Sequence, residues 1–409
     1  MHTFLRQKIY NYKIYFIFYL FYNLNNRKKI IKKKISKILN TKLFLFINMA
    51  RIGLFLIVKS IVKDKKKIII MSPFTIFDLV NKILAAGGIP KFVDTQPNSP
   101  HINLREIRKN YNKNVIAILI THYHSNNKEI KKIRNFCNKK KIFLIEDCAI
   151  AFGSKYYGKN IGFYGDFSIF SFGIFKFISN PLGGLIRFRK KKYFNIVKKK
   201  IYSENLTNSI YLKFYLKGLI YKFFLNFFPF NFIIKKIIKI GTKLNVTFIK
   251  NLINNDPNPI IDLKINKNIL CKPNKYQILS IIDQIKYIKN DRIVRSKNAM
   301  IYSQYIKKNK MLIKPDLDFL NDPIVNYPIL TKNKEKLYKF LINNNFDVAN
   351  HYYRNLNEIK TFKKFGKKLI NIKKYSNNLI CLPVYPGLSI QYLINMSNKI
   401  NEFTSKNNS

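Results

Sequence analysis

Two side chains in the first half of the chain are placed where chemistry could occur. Asp147 ends the apolar run Phe143–Asp147, and Lys176 follows after Ser171 and before Gly183-Gly184. Ligands of open α/β sheets lie at the carboxyl ends of strands, so a strand-end carboxylate is a candidate site residue. Taken alone, Asp147 would more often cap a helix, and one lysine in a lysine-rich chain would more often face solvent.

Together, these residues have the types that pyridoxal phosphate requires. This cofactor needs a lysine for its Schiff base and a carboxylate facing its pyridine nitrogen, which keeps the ring able to accept electrons from a carbanion. Lys176 and Asp147 would supply these two groups, and Ser171, five residues before Lys176, could donate to the phosphate. The pattern therefore predicts a pyridoxal-phosphate site and no metal site.

The segment between Lys65 and Arg189 alternates apolar strands with helices. This rhythm indicates βαβ units, and so an α/β fold with a mostly parallel central sheet and helices on both faces. The predicted strands are Lys67–Met71, Pro90–Asp94, Val115–Thr121, Ile142–Asp147, Asp166–Phe172 and Leu185–Phe188. The predicted helices are Thr75–Ala86, Leu104–Tyr111 and Lys128–Lys140.

The remaining sequence suggests further units, because 409 residues are many for one compact domain. Acidic residues are absent before Asp64 and between Glu204 and Asp256, and the part after Asp256 is helix-rich. We expect a smaller C-terminal α+β domain with helices at Tyr276–Ile288 and Lys334–Asn344 and strands at Val325–Ile329 and Phe346–Val348. The predicted division is a basic N-terminal extension (1–48), a large cofactor-binding domain (49–204), a basic apolar insert (205–260) and the smaller domain (261–409).

The charge of the chain has two interpretations. Lys and Arg number 76 against 20 Asp and Glu, which gives a formal net charge of +56. Such a charge could attract nucleic acid or an anionic membrane. The abundance of Ile, Lys, Asn, Phe and Tyr is also what an A+T-rich genome encodes. Arginine, which reads bases in bidentate contacts, is scarce, so we favour compositional bias and expect no nucleic-acid partner.

Cysteine and histidine offer little for metal binding. The four cysteines are widely spaced and contain no CxxC pair, which argues against zinc or a disulfide framework and fits a reducing compartment. His122 and His124 follow a predicted strand. They could form a wall of the site or be loop residues without a role, and we favour the latter for His124.

The aromatic and basic stretch 211–241 is too short and too interrupted to span a bilayer. It could form an interfacial helix on anionic lipid, or an insert packed on the protein's own body or on a partner subunit. Both interpretations stay open. With no secretion signal recognised, we expect a cytoplasmic protein, which the interfacial-helix interpretation would hold at the inner face of the membrane.

A set of short stretches occurs in a characteristic order along the chain: Ser72–Thr75, Ala86–Asp94, Ile118–His122, Ile145–Gly153, Gly158–Gly162, Gly165–Asp166, Phe170–Lys176 and Cys381–Ser389. This set resembles the DegT/DnrJ/EryC1/StrS sugar aminotransferases, pyridoxal-phosphate enzymes of fold type I. The resemblance covers about residues 49–400. The order and spacing of the stretches, rather than any single one, make it specific.

The resemblance implies roles for five residues. Lys176 would hold the cofactor and serve as general base and acid in a 1,3-proton shift. Asp147 would pair with the pyridine nitrogen, and Ser171 would bind the phosphate. Arg51 and Gly53 lie where the family has its phosphate-binding turn before a helix. The family also implies a homodimer, glutamate as amino donor, and a nucleotide-linked keto-sugar as acceptor, for surface polysaccharide or a related glycan.

Several positions depart from the family pattern. Ile150 replaces a glutamine, Phe152 a histidine, Ile76 the aromatic residue that stacks on the ring, and Ile52 a hydroxyl residue. The family's Asn-Tyr-Arg piece, which reaches across the dimer, is only hinted at by Pro273–Lys275. Two alternatives therefore stand beside the aminotransferase: a divergent or inactive protein of the same fold, and a cofactor-dependent sugar-modifying enzyme of another reaction type.

Overall fold

A seven-stranded sheet carries the residues of the predicted site. The computed structural model describes residues 33–64, 67–226, 259–348 and 353–406. In chain order the strands of this sheet are β1 (Phe44–Ile47), β2 (Lys67–Met71), β3 (Gly88–Phe92), β4 (Val115–Thr121), β5 (Phe143–Asp147), β6 (Phe167–Ser171) and β7 (Gly184–Phe188). Their spatial order is β1-β7-β6-β5-β4-β2-β3, and β7 alone runs against the other six. The predicted mostly parallel α/β sheet is confirmed.

Helices cover both faces of this sheet and extend beyond it. The helices, in chain order, are α1 (Ala50–Ile61), α2 (Phe77–Ala85), α3 (Leu104–Asn110), α4 (Ile130–Lys140), α5 (Lys191–Lys200), α6 (Asn208–Asn226), α7 (Lys275–Ile285), α8 (Ile288–Tyr305), α9 (Lys334–Asn343), α10 (Ile370–Asn378) and α11 (Ile390–Lys406). Alternate strand residues face opposite sides. Ile69 and Leu119 pack with α1 and α2, whereas Ile70 and Ile118 pack with α3 and α4.

A second core lies in the C-terminal part. Its three antiparallel strands are β8 (Leu312–Ile313), β9 (Asn326–Thr331) and β10 (Leu379–Pro383). Helices α8, α9 and α11 pack on them through buried residues such as Tyr302, Leu337 and Met396. This arrangement of helices on a small antiparallel sheet agrees with the expected α+β character.

The predicted element boundaries differ from the structure in identifiable ways. The helix predicted from Thr75 begins at Phe77 as α2, because Phe74–Thr75 forms a short strand that pairs with Arg354–Asn355. The strand predicted at Phe346–Val348 is wrong. There the Phe346 amide donates to the Leu341 carbonyl after Asn345 takes a positive φ of 62°, which is how a helix C-terminus closes.

The N-terminal segment contributes to the sheet. Strand β1 pairs with β7, and Ile35 and Leu39 are buried against Phe170 and Ile178. The central sheet therefore begins before residue 49, within the segment predicted as an extension. Residues 1–32 and 227–258, which include most of the predicted insert, lie outside the described part. No described helix is long and apolar enough to cross a membrane.

Gly184 permits the closest approach between the sheet and α1. A Cβ at this position would lie 2.7 Å from the Ala50 nitrogen and 3.0 Å from the Met49 carbonyl carbon. Backbone atoms cannot rotate away as a side chain can. The absence of a side chain at Gly184 thus sets the distance between β7 and the start of α1.

We expect Gly184→Ala to lower the free energy of unfolding by about 1–3 kcal/mol, because the methyl group forces the helix off the sheet. Urea denaturation of the purified protein would measure this loss. Gly173→Ala is the matched control, since its Cβ would meet only Ser171 Oγ at an ordinary 3.7 Å. Equal stability of the two variants would contradict the close-approach argument.

Candidate cofactor site

The strand register brings Asp147 and Ser171 to one edge of the sheet. Asp147 is paired with Ile169 of the neighbouring strand, and Ser171 follows two residues later. Paired residues and those two apart face the same side, and the backbones of Asp147 and Ser171 are roughly 8 Å apart by standard strand spacings. This span suits a six-membered ring that carries a phosphate arm.

The start of α1 lies beside Ser171. Ser171 pairs with Gly184, which approaches the Ala50 nitrogen, and Met49 forms a bridge with Gly183. The first amides of a helix point away from it without intrahelical acceptors and carry the positive end of the helix dipole. The hydroxyl of Ser171 and the N-terminus of α1 therefore form a candidate phosphate cradle.

Arg51 and Gly53 hold different places in that cradle. The Arg51 guanidinium forms an ion pair with Asp78 of α2, so its side chain links two helices. Gly53 faces the sheet, where a Cβ would lie 2.5 Å from Ile47 Cδ1, and its amide donates to the Met49 carbonyl at 3.2 Å. The amide of Gly53 and the guanidinium of Arg51 thus already have partners within the protein, and direct contact of either residue with a phosphate stays a prediction.

Lys176 lies in the loop that follows β6. Its amide donates to the Gly173 carbonyl at 3.1 Å. Burial lowers the pKa of the Lys176 amine to about 8, and the nearby Asp147 carboxylate works against that shift. A lysine with a depressed pKa beside a buried acid is typical of a functional site.

Helix α7 fixes the Lys176 loop from the other side. Gln284 accepts from the Ser179 amide and donates to the Ser179 carbonyl, both at 2.8 Å. Asn180 donates to the Gln277 carbonyl at 3.0 Å. These contacts join residues about a hundred positions apart, and no sequence pattern signalled them.

Asp147 has one hydrogen-bonded and one unused oxygen. Oδ1 accepts from the Ala149 amide at 3.0 Å, whereas the buried Oδ2 has no hydrogen-bond partner among the described residues. Burial raises the pKa of Asp147, while the hydrogen bond from the Ala149 amide and the charge of Lys176 counter this shift. An orphaned carboxylate oxygen is costly to bury, so it marks a place where a donor belongs.

His122 acts on the opposite face of the sheet. Its Nε2 lies 3.1 Å from Glu146 Oε2, and Glu146 also accepts from the amides of Gly162 and Gly165. With Cys148 these groups could offer three metal ligands. Because Glu146 already has three donors, their arrangement is explained by hydrogen bonding alone.

His124 lies in the loop after β4, as expected, but its side chain is buried in the core. It is 2% exposed, and its Nε2 lies 4.0 Å from Cys381 Sγ. His101 is also buried and lies within hydrogen-bonding distance of Ser125 Oγ, at 3.1 Å. Burial lowers the pKa of both imidazoles to about 3, so both are neutral near pH 7.

The departures from the family pattern are apolar packing positions. Ile76 and Ile150 belong to one cluster with Phe74 and Tyr123. Phe152 packs edge-on against Phe170 and Phe172, with ring centroids 5.4 and 5.3 Å apart. Ile52 is 2% exposed in the core beneath α1. Asn274, in the stretch that hinted at a cross-dimer piece, caps α7 by accepting from the Tyr276 amide.

Tyr123 lies between the apolar cluster and the predicted acid, a position the sequence did not reveal. Its hydroxyl donates to the Phe74 carbonyl at 2.6 Å. Burial raises its pKa well above the usual range, and the Asp147 charge adds to that shift. In the sequence, only the position of Tyr123, two residues past the end of β4, could have indicated that it lies near the site.

The site fits pyridoxal phosphate in three independent features. An amine with a depressed pKa can attach the aldehyde, an unpaired carboxylate oxygen can meet the protonated pyridine nitrogen, and a helix N-terminus with a hydroxyl can hold the phosphate. These three groups lie along one edge of the sheet.

Comparison with known proteins gives matches over most of the chain. The sequence model of the DegT/DnrJ/EryC1/StrS aminotransferase family matches residues 25–200 and 275–401 of this chain. GDP-perosamine synthase of Vibrio cholerae is 32% identical over 118 residues, which are 29% of this chain and 32% of that protein. The uncharacterized protein MJ1066 of Methanocaldococcus jannaschii is 24% identical over 90% of this chain and 88% of its own length. The chain thus matches about a third of the length of the first of these relatives.

Solved structures share the fold. PseC of Helicobacter pylori, an aminotransferase involved in the biosynthesis of pseudoaminic acid, superposes with a TM-score of 0.70 at 18% identity, covering 93% of this chain and 91% of its own. A DegT DnrJ EryC1 StrS aminotransferase from Brucella abortus gives 0.71 at 16% identity, covering 95% and 92%. The predicted fold type I is confirmed.

The buried histidines predict a loss of stability in acid. The unfolded chain binds a proton on His124 below about pH 6.5, whereas the folded chain does not until about pH 3. Stability conferred by the neutral imidazole is therefore complete above pH 6.5 and falls by about 1.4 kcal/mol per pH unit below it. Urea denaturation at pH 7.5 and pH 5 would measure the free energy of unfolding. We expect His124→Gln to lose less of this free energy between the two pH values than the parent does, because the variant lacks the imidazole that takes up the proton. A stability difference between variant and parent that does not change with pH would contradict the assignment.

Proposed function

The chain belongs to the DegT/DnrJ/EryC1/StrS aminotransferase family, and we propose that it is a pyridoxal-phosphate-dependent aminotransferase that transfers an amino group to a nucleotide-linked keto-sugar. The observation that carries this proposal is the pair formed by Lys176 and Asp147. One is an amine with a depressed pKa, the other a buried acid with an unused oxygen, and each acts on the pKa of the other.

Lys176 supplies the attachment point and the mobile proton. The bound cofactor supplies an electron sink for the carbon from which a proton is removed. A free amine with a pKa near 8 is neutral in roughly a quarter of molecules at pH 7.5, against about 0.1% for an ordinary lysine. Lys176 can therefore take a proton from one carbon and deliver it to another near neutral pH.

Asp147 holds a positive charge at the far end of the ring. Its Oδ2 would accept a hydrogen bond from a protonated pyridine nitrogen, which would satisfy the oxygen that otherwise lacks a donor among the described residues. A cation at this place also favours the ionised carboxylate against the burial that raises its pKa. Acid and cofactor thus stabilise each other's charged forms.

The names of related proteins support the substrate class. Besides GDP-perosamine synthase, the relatives include a UDP-4-amino-4,6-dideoxy-N-acetyl-beta-L-altrosamine transaminase of Campylobacter jejuni and a dTDP-4-dehydro-2,3,6-trideoxy-D-glucose 4-aminotransferase of Saccharopolyspora spinosa. Their nucleotides differ, whereas an amino group on a nucleotide-linked sugar is common to all three. We propose a keto-sugar of this class as the acceptor, glutamate as the donor, and a surface polysaccharide or related glycan as the destination.

We further propose a cytoplasmic homodimer. All four cysteines are free and buried, which supports a reducing compartment. The dimer is an implication of the family, because sites of this kind are completed by a neighbouring subunit.

Replacing Lys176 tests the proposed function directly. We expect the parent protein to gain an absorbance band at the edge of the visible range on addition of pyridoxal phosphate, and glutamate to shift that band. Lys176→Ala should abolish both changes, because no amine remains at the attachment point. Lys198→Ala, which removes an exposed lysine of α5, is the matched control and should keep them.

A parent protein that gains no band would contradict cofactor binding. A band that survives in Lys176→Ala would contradict the assigned lysine. A band that shifts neither with glutamate nor with any other amino acid would indicate a divergent protein or another reaction type.

Asp147→Asn tests the role of the acid separately. The amide cannot hold a positive charge at the ring nitrogen, so we expect kcat to fall about 100- to 1,000-fold while the cofactor remains attached. Single-turnover absorbance with glutamate would measure this. Asp316→Asn makes the same change at a side chain that is 87% exposed and should leave the rate unchanged. Full activity of Asp147→Asn would refute the proposed pairing.

A further inference from the structure

Helix α6 packs on the protein through one face. Tyr211 and Tyr215 are buried, at 1% and 7% exposure, against Leu206, Tyr276 and Leu279. This inner face anchors the helix beside the Lys176 loop, since Tyr211 also hydrogen-bonds Asn180 at 3.3 Å. The position of α6 is thus fixed by the core on which this inner face packs.

The opposite face of α6 is also apolar, which is unusual for a surface helix of a globular protein. Leu212, Leu216 and Ile220 are 37%, 50% and 50% exposed, and Phe223 is 61% exposed. Their spacings of four, four and three residues place them in one line along the helix. We call these four residues the outer stripe.

Basic residues accompany the outer stripe. Lys213 and Lys217 each follow a leucine of the stripe by one position and are exposed. From residue 205 to residue 255 the chain contains eight lysines and no aspartate or glutamate. Long lysine side chains can keep their charge in water while their stems cover apolar surface. Apolar residues edged by lysine suit an interface that is apolar within and anionic at its boundary.

We infer that the outer stripe of α6 binds the surface of an anionic lipid bilayer, with the helix lying in the plane of the interface. The aliphatic side chains enter the acyl boundary, and the lysines contact the lipid phosphates. This contact holds the protein peripherally. The inference does not depend on the reaction proposed for the cofactor site.

Charge argues against the two other occupants. A second copy docked stripe to stripe would bring the same lysines together in a segment without acids, and like charges at such a contact are repulsive. Nucleic acid would pair with the lysines but leave the aliphatic side chains without apolar contacts. An anionic bilayer satisfies both kinds of side chain.

Vesicle sedimentation of the full chain tests the inference. We expect binding to vesicles of phosphatidylcholine with phosphatidylglycerol, and much weaker binding to phosphatidylcholine alone. Leu212→Gln/Leu216→Gln/Ile220→Gln should lower the partition coefficient at least about tenfold, because the transferred apolar area is removed. Lys213→Gln/Lys217→Gln should lower it about 25-fold on the anionic vesicles, about fivefold for each lysine.

Matched controls make the same chemical changes elsewhere. Leu320→Gln/Ile370→Gln/Ile390→Gln replaces three side chains that are 82%, 61% and 64% exposed, and Lys198→Gln/Lys199→Gln removes two exposed lysines of α5. Both should bind as the parent does. The single variant Leu216→Gln separates loss of binding from loss of folding. We expect its unfolding midpoint to equal that of the parent while its vesicle binding is weaker.

Three results would overturn the inference. The first is no binding of the parent to anionic vesicles. The second is an equal loss in the control variants, which would make binding a property of overall charge. The third is unchanged vesicle binding by the stripe variant together with loss of self-association in size-exclusion chromatography, which would assign the stripe to a second copy.

Discussion

The structure depends on a buried carboxylate placed opposite an amine at the end of a parallel sheet. Asp147 is 1% exposed, and burial alone would favour its protonated form. Lys176 provides the nearby positive charge, at the cost of a lowered pKa of its own. A fold that merely maximised stability would place neither group there. The proposed cofactor, which needs both an amine and an acid, would account for their placement together.

Contacts from the sheet and from helix α7 keep these two groups in position. The pairing of Asp147 with Ile169 fixes the acid, and the contacts between Gln284 and Ser179 fix the loop that carries the lysine. Gly184 lets the start of α1 approach the same edge. Aliphatic residues stand at Ile76, where the family pattern has an aromatic residue, and at Ile150, where it has a glutamine, and both pack with Phe74 and Tyr123.

The sequence predicted what local patterns determine. Buried strands such as Val115–Thr121 and the acid at the end of β5 are visible because apolar runs and their ends are local. The clamp by Gln284 was not predictable, since it joins residues 105 positions apart. The strand expected at Phe346–Val348 is wrong because a short stretch with apolar residues at both ends can equally follow the C-terminus of a helix. His124 lies in a loop as expected, but its burial against Cys381 depends on tertiary packing and was not predictable.

We propose that pyridoxal phosphate becomes covalently attached to Lys176, which is one of 65 lysines in the chain. Borohydride reduction of the protein with stoichiometric pyridoxal phosphate, followed by proteolysis and peptide mass spectrometry, tests it most directly. We expect one dominant modified peptide, carrying the reduced cofactor on Lys176. Modification spread over surface lysines, with Lys176 unmodified, would contradict it.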